Sequence, residues 1–243
     1  MNKETAEKQD LRKRQQRAQR ILDAAEALIL RWGYNKTTID DIARQAGVAK
    51  GTIYLHWKTR EALFAALMAR EKLLFAQDFK QRITADPAGA TLRGIVKHTA
   101  LAVLHRPLIK AVFLRDQEVL GKLAQSEFST AAYLERLAGF KAYLEFMREH
   151  GLARTDLSVQ AQVHIWSAIS AGFFLASPLM PPEITLPDDE LANLMAITIH
   201  RTLESDQPIS PAEYQAVSQI FLQYLDRSTA AAEEQFQKEI EVI

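Results

Sequence analysis

The segment that most constrains the fold of this chain is residues 37–63. Apolar residues recur at helical spacing on both sides of Gly47, as Ile42, Ala43 and Ala46 before it and as Ala49, Ile53 and Trp57 after it. Each half is therefore predicted to be a short helix with one buried stripe. Glycine tolerates the positive φ that a tight turn between two helices commonly needs. The segment is predicted to be a helix-turn-helix.

The second helix, predicted from Ala49 to Trp57, has a polar outward face. Its stripe leaves five residues facing away from the core, namely Lys50, Thr52, Tyr54, Leu55 and His56. A lysine, two hydroxyl groups and an apolar side chain are groups that contact phosphates and base edges. A purely structural helix pair is the alternative interpretation, because two short helices joined at a glycine are common in helical proteins.

The segment closely resembles the DNA-binding domain of the tetracycline-repressor (TetR) family of bacterial transcription regulators. The matching residues are Thr38, Ile42-Ala43, Ala46-Gly47-Val48, Gly51, Ile53-Tyr54, His56-Trp57 and Glu61-Ala62-Leu63. The run Gly-x-Ile-Tyr-x-His-Trp is the most specific part of the match. Leu55 departs from the family pattern, since an aromatic or polar residue is frequent there, and Arg60 stands where lysine is usual.

The resemblance implies that the second helix enters the major groove of DNA. Lys50 is then expected to donate to guanine, Leu55 to contact a thymine methyl group, and Thr52 to bond either a base or a phosphate. The other polar residues, with helix amino-terminal amides near Thr38 and Thr59, are expected to hold phosphates. The predicted DNA-binding residues are Thr38, Lys50, Gly51, Thr52, Tyr54, Leu55, His56, Lys58 and Arg60.

Charge is distributed unevenly along the chain. Lys plus Arg and Asp plus Glu number 30 each, yet residues 1–60 hold 13 basic against 7 acidic residues, a net charge of +6. The remaining residues therefore carry a net charge of −6. A basic end attracts phosphates, and such an association weakens steeply with salt. The basic run from Lys8 to Arg20 has a second interpretation, as an ordinary solvated helix face.

The whole chain shows helical periodicity with almost no alternation of the β type, so an all-α fold is expected. Predicted helices cover about 11–32, 59–84, 88–104, 108–124, 129–150, 158–176 and 188–204, and a last one follows the capping box of Ser210 and Glu213. Residues 178–187 are predicted to be a loop, and the polar tail beyond Arg227 is expected to fray. The resemblance implies an amino-terminal three-helix, helix-turn-helix DNA-binding domain over 1–58 and a larger helical effector-binding and dimerisation domain over 59–243.

Several classes of protein and site are excluded or disfavoured. The absence of cysteine rules out disulfides, thiolate metal sites and thiol nucleophiles. The polar stretch from Met1 to Arg20 lacks the apolar segment of a signal peptide, and the uncharged run 165–182 contains serines and prolines, so a cytoplasmic protein without a membrane partner is expected.

An enzyme is the competing functional class. None of the six histidines has H-E-x-x-H spacing, and neither a G-x-S-x-G motif nor a phosphate-binding glycine loop occurs. His98 and His105 lie seven residues apart and could share a metal, but the local sequence offers no third ligand. No catalytic residue, cofactor or metal is therefore predicted.

The helix predicted from Asp188 carries a long apolar stripe that has to be covered. Its expected partner is the 158–176 helix, whose small residues allow close backbone approach. The resemblance implies that two such helices from each subunit form a homodimer interface, and packing inside one subunit is the alternative. The predicted interface residues are Ala161, Ala168, Gly172, Leu191, Leu194, Met195, Thr198 and Ile199.

The resemblance also implies a cavity for a small-molecule effector between the DNA-binding helices and the interface. The candidate residues are aromatic side chains and histidines, namely His98, His105, Phe113, Tyr133, Phe140, Tyr143, Trp166 and Phe173. Aromatic residues at helical spacing also occur as ordinary core packing. The function expected from the resemblance is a homodimeric repressor that an effector releases from its DNA operator. Control by a protein partner, or none, is the alternative.

Overall fold

The computed structural model describes residues 3–123, 130–206 and 210–241, with side chains for all of these except 3–8, 11, 130–137 and 241. Within those ranges the chain forms helices and no strand longer than one isolated bridge. The α-helices are α1 (Lys3–Trp32), α2 (Ile39–Ala46), α3 (Lys50–Tyr54), α4 (Arg60–Ala85), α5 (Leu92–Leu104), α6 (Pro107–Leu114), α7 (Gln117–Leu120), α8 (Thr130–Glu149), α9 (Val159–Ala176), α10 (Asp188–Leu203) and α11 (Pro211–Glu241). The predicted all-α fold is confirmed.

The amino-terminal helices share one apolar core with the first half of α4. Ile21, Ile42 and Ile53 are fully buried there, and Leu63 and Leu67 of α4 complete the cluster. Helix α1 ends before Gly33, which has a left-handed conformation with φ of 79°. A side chain at Gly33 would also collide with the carbonyl oxygen of Glu118, so this close approach to α7 requires glycine.

The second core lies in the carboxy-terminal part of the chain and is organised around α5. Helix α10 packs along α5 through Met195 and Ile199, which are buried in this core, and Leu191 is also buried. Helices α8 and α9 add the remaining walls, and α9 begins after Ser158, whose hydroxyl accepts from the Ala161 amide.

Burial of Leu191, Met195 and Ile199 shows that their predicted place in a subunit interface is wrong. The stripe is covered by α5 of the same chain because α5 is itself apolar along most of its length. The other predicted interface residues lie closer to the surface. Leu194 of α10 is 38 % exposed, and Ala168 and Gly172 of α9 are exposed. Thr198 and Ala161 are half-buried.

The last helix, α11, is longer and better anchored than the sequence suggested. It begins at the predicted capping box, in which the Ser210 amide donates to the Glu213 carboxylate, and it packs along α4. The expectation of a frayed tail beyond Arg227 is wrong. Phe236 is buried in the amino-terminal core, and Ala232 and Ile240 pack beside it.

Two predicted helices have different limits. Helix α5 begins at Leu92, after a Thr91 cap, rather than near Ala88, so Pro87 lies in the preceding turn and not at a helix start. The predicted 108–124 helix is broken at Arg115, which has a φ of 54° and closes α6 with its amide. The predicted loop at 178–187 contains two single 3-10 turns. In the described ranges, no helix is sufficiently long and apolar to cross a membrane.

We predict that Phe236→Ala destabilises the chain by about 3–5 kcal/mol, because it removes a buried aromatic ring from the core that supports the helix-turn-helix. Tyr224→Ala on the same helix is the matched control, since its ring is 55 % exposed. Urea unfolding followed by circular dichroism measures both changes. Equal midpoints for the two variants would contradict the anchoring of α11 in this core.

Candidate nucleic-acid interface

The first helix of the motif, α2, is fixed at both ends by its own sequence. The Thr38 hydroxyl accepts a hydrogen bond from the Asp41 amide at 3.2 Å, and the Asp41 carboxylate accepts from the Thr38 amide. These bonds satisfy amides that a helix start leaves without partners. Gly47 ends α2 in the left-handed conformation with φ of 65°, and its amide donates to carbonyl oxygens of α2. The predicted turn is confirmed.

The second helix, α3, is shorter than predicted. It covers Lys50–Tyr54 rather than 49–57, with Ala49 as its amino-terminal cap and Leu55 as its carboxy-terminal cap. Ala49 is exposed, so its predicted place in the buried stripe is wrong, whereas Ile53 and Trp57 are fully buried as expected. Within α3 itself Ile53 is the buried residue, and Trp57 is buried just beyond the helix. The exposed residues Lys50, Gly51, Tyr54 and Leu55 form what we call the reading surface.

Most of the predicted DNA-binding residues lie on one exposed surface around α3. Tyr54 and Leu55 are 43 % and 65 % exposed, although both are large apolar or amphipathic residues. The other exposed residues of the predicted set are Thr38, Lys50, Gly51 and Lys58, whereas Thr52 is half-buried. An exposed tyrosine and leucine beside lysines fit a surface that another molecule covers.

Lys50 is paired with a carboxylate of the preceding helix. Its ammonium group lies 2.9 Å from the Asp40 carboxylate, and both side chains are exposed. The hydrogen bond that Lys50 donates to this carboxylate, together with the carboxylate's charge, raises the pKa of Lys50 above its ordinary value. Asp40 was not among the residues predicted from the sequence, although it lies in the first turn of α2. Asp40 thus accepts from one of the three N–H donors of Lys50.

His56 does not lie on the reading surface, and the prediction that it faces away from the core is wrong. The side chain is 4 % exposed and packs beside Trp57, with 5.4 Å between the ring centroids. Burial, with smaller effects of Arg14 and Arg17, lowers the pKa of His56 and so favours the neutral ring. The cause is the early end of α3, after which the chain turns His56 inward.

Arg60 has an intramolecular role that conflicts with its predicted role as a phosphate ligand. Its Nε donates to the Thr37 carbonyl oxygen at 3.1 Å, and a second guanidinium nitrogen donates to the Tyr34 carbonyl oxygen. The guanidinium carbon also lies 3.9 Å from the centroid of the Tyr34 ring and 5.0 Å from that of Phe64. Arg60 therefore ties the start of α4 to the α1–α2 turn.

Trp57 connects the reading surface with the far end of the chain. Its indole Nε1 donates to the Glu239 carbonyl oxygen at 3.1 Å across 182 residues of sequence. The sequence analysis missed this contact. A signal for it exists, because Ala232, Phe236 and Ile240 recur at intervals of four residues, which is the spacing of a buried helical stripe.

The predicted effector residues are brought together only in part. Phe113 and Trp166 line a space of about 10 Å³ with Val96, Phe174 and Met195. That volume is about the size of one water molecule, so the aromatic cluster is closed in this structure. Phe140 stacks on Trp166 with 4.1 Å between the ring centroids, and Phe173 packs in the same half-buried shell. Tyr133 lies outside the described side chains.

The remaining candidates are held by other contacts. The Tyr143 hydroxyl donates to the Ala90 carbonyl oxygen at 3.2 Å, and burial raises its pKa well above the ordinary value. His98 bonds the Asp86 carboxylate at 2.8 Å. His105 is exposed, contacts Arg82 at 3.1 Å and lines a different cavity, so its predicted place among the aromatic residues is wrong. Among the described residues, no group of three potential ligands surrounds a metal position.

This geometry defines the class of the amino-terminal part. Two capped helices meet at a left-handed glycine, the second exposes polar and apolar side chains together, and both rest on α1 and α4. That arrangement is a helix-turn-helix of the type that presents its second helix to DNA.

Comparison with known proteins identifies the family of this part. Residues 21–67 match the family model described as bacterial regulatory proteins, tetR family. The amino-terminal part of this chain is therefore a member of the TetR family. The fatty acid metabolism regulator protein of Bacillus subtilis is 38 % identical over 85 residues, which cover 33 % of this chain and 43 % of that protein. The match thus spans less than half of this relative.

Solved structures extend the likeness of fold beyond the motif. SmeT, the repressor of the Stenotrophomonas maltophilia multidrug efflux pump SmeDEF, superposes with a TM-score of 0.58 at 22 % identity, covering 80 % of this chain and 93 % of SmeT. AibR, in complex with isovaleryl coenzyme A and operator DNA, superposes with a TM-score of 0.57 at 21 % identity, covering 75 % of this chain and 97 % of AibR. At this identity the likeness shows the fold alone.

The two basic residues that flank Thr59 provide a matched test. Lys58→Ala removes an exposed charge, so we expect the slope of log affinity for DNA against log salt to flatten by about one unit. Arg60→Ala removes internal hydrogen bonds, so we expect the salt slope of DNA binding to remain unchanged while the free energy of unfolding falls by about 1.5–3 kcal/mol. Salt titrations of DNA binding and urea unfolding measure the two effects. A flatter slope in Arg60→Ala would restore Arg60 as a phosphate ligand.

Proposed function

We propose that this protein is a sequence-specific, DNA-binding transcription regulator, and specifically a homodimeric repressor of the cytoplasm that a small molecule releases from its operator. The observation that carries the DNA-binding part is the exposed surface of α3, where Lys50, Tyr54 and Leu55 project from a rigid, capped helix pair. The boundary between a DNA-binding domain at 1–58 and an effector and dimerisation domain at 59–243 belongs to this proposal.

Base recognition is assigned to the side chains at the centre of the exposed surface. Lys50 supplies a long cationic donor, which suits guanine O6 and N7 in the major groove. Leu55 supplies an apolar surface, which suits the methyl group of thymine. Thr38, Tyr54 and Lys58 lie around them and are assigned to phosphates, whose contacts fix the position on the duplex without reading its sequence.

A homodimer is supported by apolar surface at the end of α9 and α10. Leu175, Leu179 and Ile184 are 55 %, 80 % and 58 % exposed, and Leu194 and Gly172 lie on the same two-helix unit. Apolar side chains grouped in this way mark a surface that a partner covers. A second copy of the chain is the partner we assign, because two linked reading helices bind two half-sites far more tightly than one.

Release by an effector is assigned to the aromatic cluster of Phe113, Phe140, Trp166 and Phe173. AibR, which shares this fold, was solved with both a coenzyme A ester and operator DNA, which supports a regulator with two kinds of ligand. The cluster holds only about 10 Å³ of space here, so an effector has to displace side chains. An effector shifts DNA binding only through its differential affinity for two conformations, typically by about 1–3 kcal/mol.

The decisive test of DNA reading is Lys50→Ala. We expect a loss of about 1–3 kcal/mol on the operator and relaxed preference at one symmetric pair of positions. Selection from randomised duplexes at one fixed salt concentration measures the preference. Asp40→Asn is the control, because it frees Lys50 and should strengthen binding without changing the preferred bases. A uniform loss of affinity with an unchanged profile in Lys50→Ala would mean that α3 only holds phosphates.

The interface is tested by two matched substitutions of exposed apolar residues. Leu194→Asp should dissociate the dimer and lower operator affinity, because a charge buried without a partner costs about 3–5 kcal/mol. Ile220→Asp on α11, where Ile220 is 49 % exposed, should leave the dimer intact. Sedimentation velocity measures the association state. The opposite pattern would move the interface from α9 and α10 to α11.

A further inference from the structure

A polar cavity of about 400 Å³ lies apart from the aromatic cluster, where the amino-terminal helices meet the rest of the chain. Its walls come from Asp23 and Glu26 of α1, Arg70 and Glu71 of α4, Arg106 just before α6, and Phe236 of α11. This volume falls within the range of small-molecule sites in proteins. Elements distant in sequence therefore enclose a space large enough for a ligand.

A buried guanidinium group organises the charged side of the cavity. Arg70 is 5 % exposed, and its nitrogens lie 2.6 Å from the Asp23 carboxylate, 2.7 Å from that of Glu26 and 3.3 Å from that of Glu71. Glu71 is 2 % exposed. Removing these charges from water costs several kcal/mol per ion, which the close pairing has to offset. Arg70 thus holds three carboxylates in fixed positions around one space.

The charges of this network do not balance. Three carboxylates face two guanidinium groups, since Arg106 is the only other charged side chain of the lining apart from His105, and it lies 3.6 Å from Glu71. Among these five carboxylate and guanidinium groups, one negative charge is in excess. Burial, followed by repulsion from Glu71, raises the pKa of Glu26 despite the nearby Arg70. An added cation would relieve this repulsion.

The cavity also has an apolar wall, which is formed by Leu73, Leu74 and Phe236. The lining therefore combines excess negative charge with apolar surface.

We propose that this cavity is a binding site for a small organic monocation with an apolar part. The ammonium group would lie beside the carboxylates of Asp23, Glu26 and Glu71, and the apolar part would pack on Phe236. The site is separate from the aromatic cluster assigned to the effector. Because Phe236 belongs to α11, the ligand also holds the end of that helix against α1 and α4.

Isothermal titration calorimetry of the full chain, without DNA, tests the site with three matched probes. They are 2-phenoxyethylamine, which is a cation at neutral pH, the neutral 2-phenoxyethanol and the anionic phenoxyacetate. All three have the same ring and the same ether oxygen, so they differ in charge. We expect the cation to bind at least about tenfold more tightly than either analogue. Equal binding of the three, or no binding of the cation, would overturn the proposal.

Substitutions in the lining test whether the cation binds in this cavity. Glu26→Gln should weaken binding of the cation by at least about fivefold, because it removes a charge beside the ligand. Asp10→Asn, an exposed carboxylate of the same helix outside the lining, should leave the affinity unchanged. Asp23→Asn is the second test if Glu26→Gln does not fold, since the Asp23 side chain is 68 % exposed. Unchanged affinity in both lining variants would place the cation elsewhere.

Hydrogen exchange gives an independent readout of the same site. Saturation with 2-phenoxyethylamine should slow amide exchange in residues 232–241, because a ligand against Phe236 opposes detachment of this helix end. Exchange in 188–203, which lies outside the lining, should not change. Protection confined to 188–203 would contradict the proposal. None of these measurements involves DNA, so their outcome is independent of the proposed regulatory function.

Discussion

The burial of Trp57 is the constraint on which the reading surface depends. This residue lies three positions after the end of α3, is 1 % exposed, and brings an indole N–H into the core that requires an acceptor. The acceptor is the Glu239 carbonyl oxygen, in the last turn of α11. The final carbonyl groups of a helix have no partner within that helix, so the end of α11 is well suited to this role. The position of α3 is thereby coupled to the last helix of the chain.

Helix α4 carries this coupling through the molecule. Its first turns contribute Leu63, Phe64 and Leu67 to the amino-terminal core, and its later turns pack along α11 and α5. Arg60 fixes its start to the α1–α2 turn by hydrogen bonds to carbonyl oxygens. A rearrangement of α5 or α11 would therefore be transmitted to the reading helix through packed side chains. Contiguous packing of this kind is one route by which two distant sites can be coupled.

Several positively charged side chains of the amino-terminal part already interact with groups of the same chain. Lys50 is neutralised by Asp40, Arg44 pairs with Asp41, and Arg60 is turned inward. Several of the basic residues that give residues 1–60 a net charge of +6 therefore already have partners within the chain. Exposed pairs of this kind contribute little to stability, so DNA can displace them at small cost. Pairing of this kind makes the attraction to phosphate depend on local geometry rather than on net charge.

The motif and the general architecture followed from the sequence alone, because they rest on local rules. The turn at Gly47, the burial of Ile53 and the capping box at Ser210 and Glu213 each depend on residues a few positions apart. Helical periodicity and the chemistry of caps determine such features before any long-range contact forms.

The tertiary structure decided which face of each helix is covered and which buried polar groups form hydrogen bonds with residues distant in the sequence. Met195 and Ile199 fit a subunit interface by periodicity, yet α5 of the same chain covers them. His56 matches the family motif but turns inward, because α3 ends after five residues. Arg60 was expected to hold phosphate but also turns inward, because the Tyr34 and Thr37 carbonyl groups accept from it. Periodicity shows that a stripe must be buried but not what buries it, because the partner is chosen by contacts between residues far apart in the sequence.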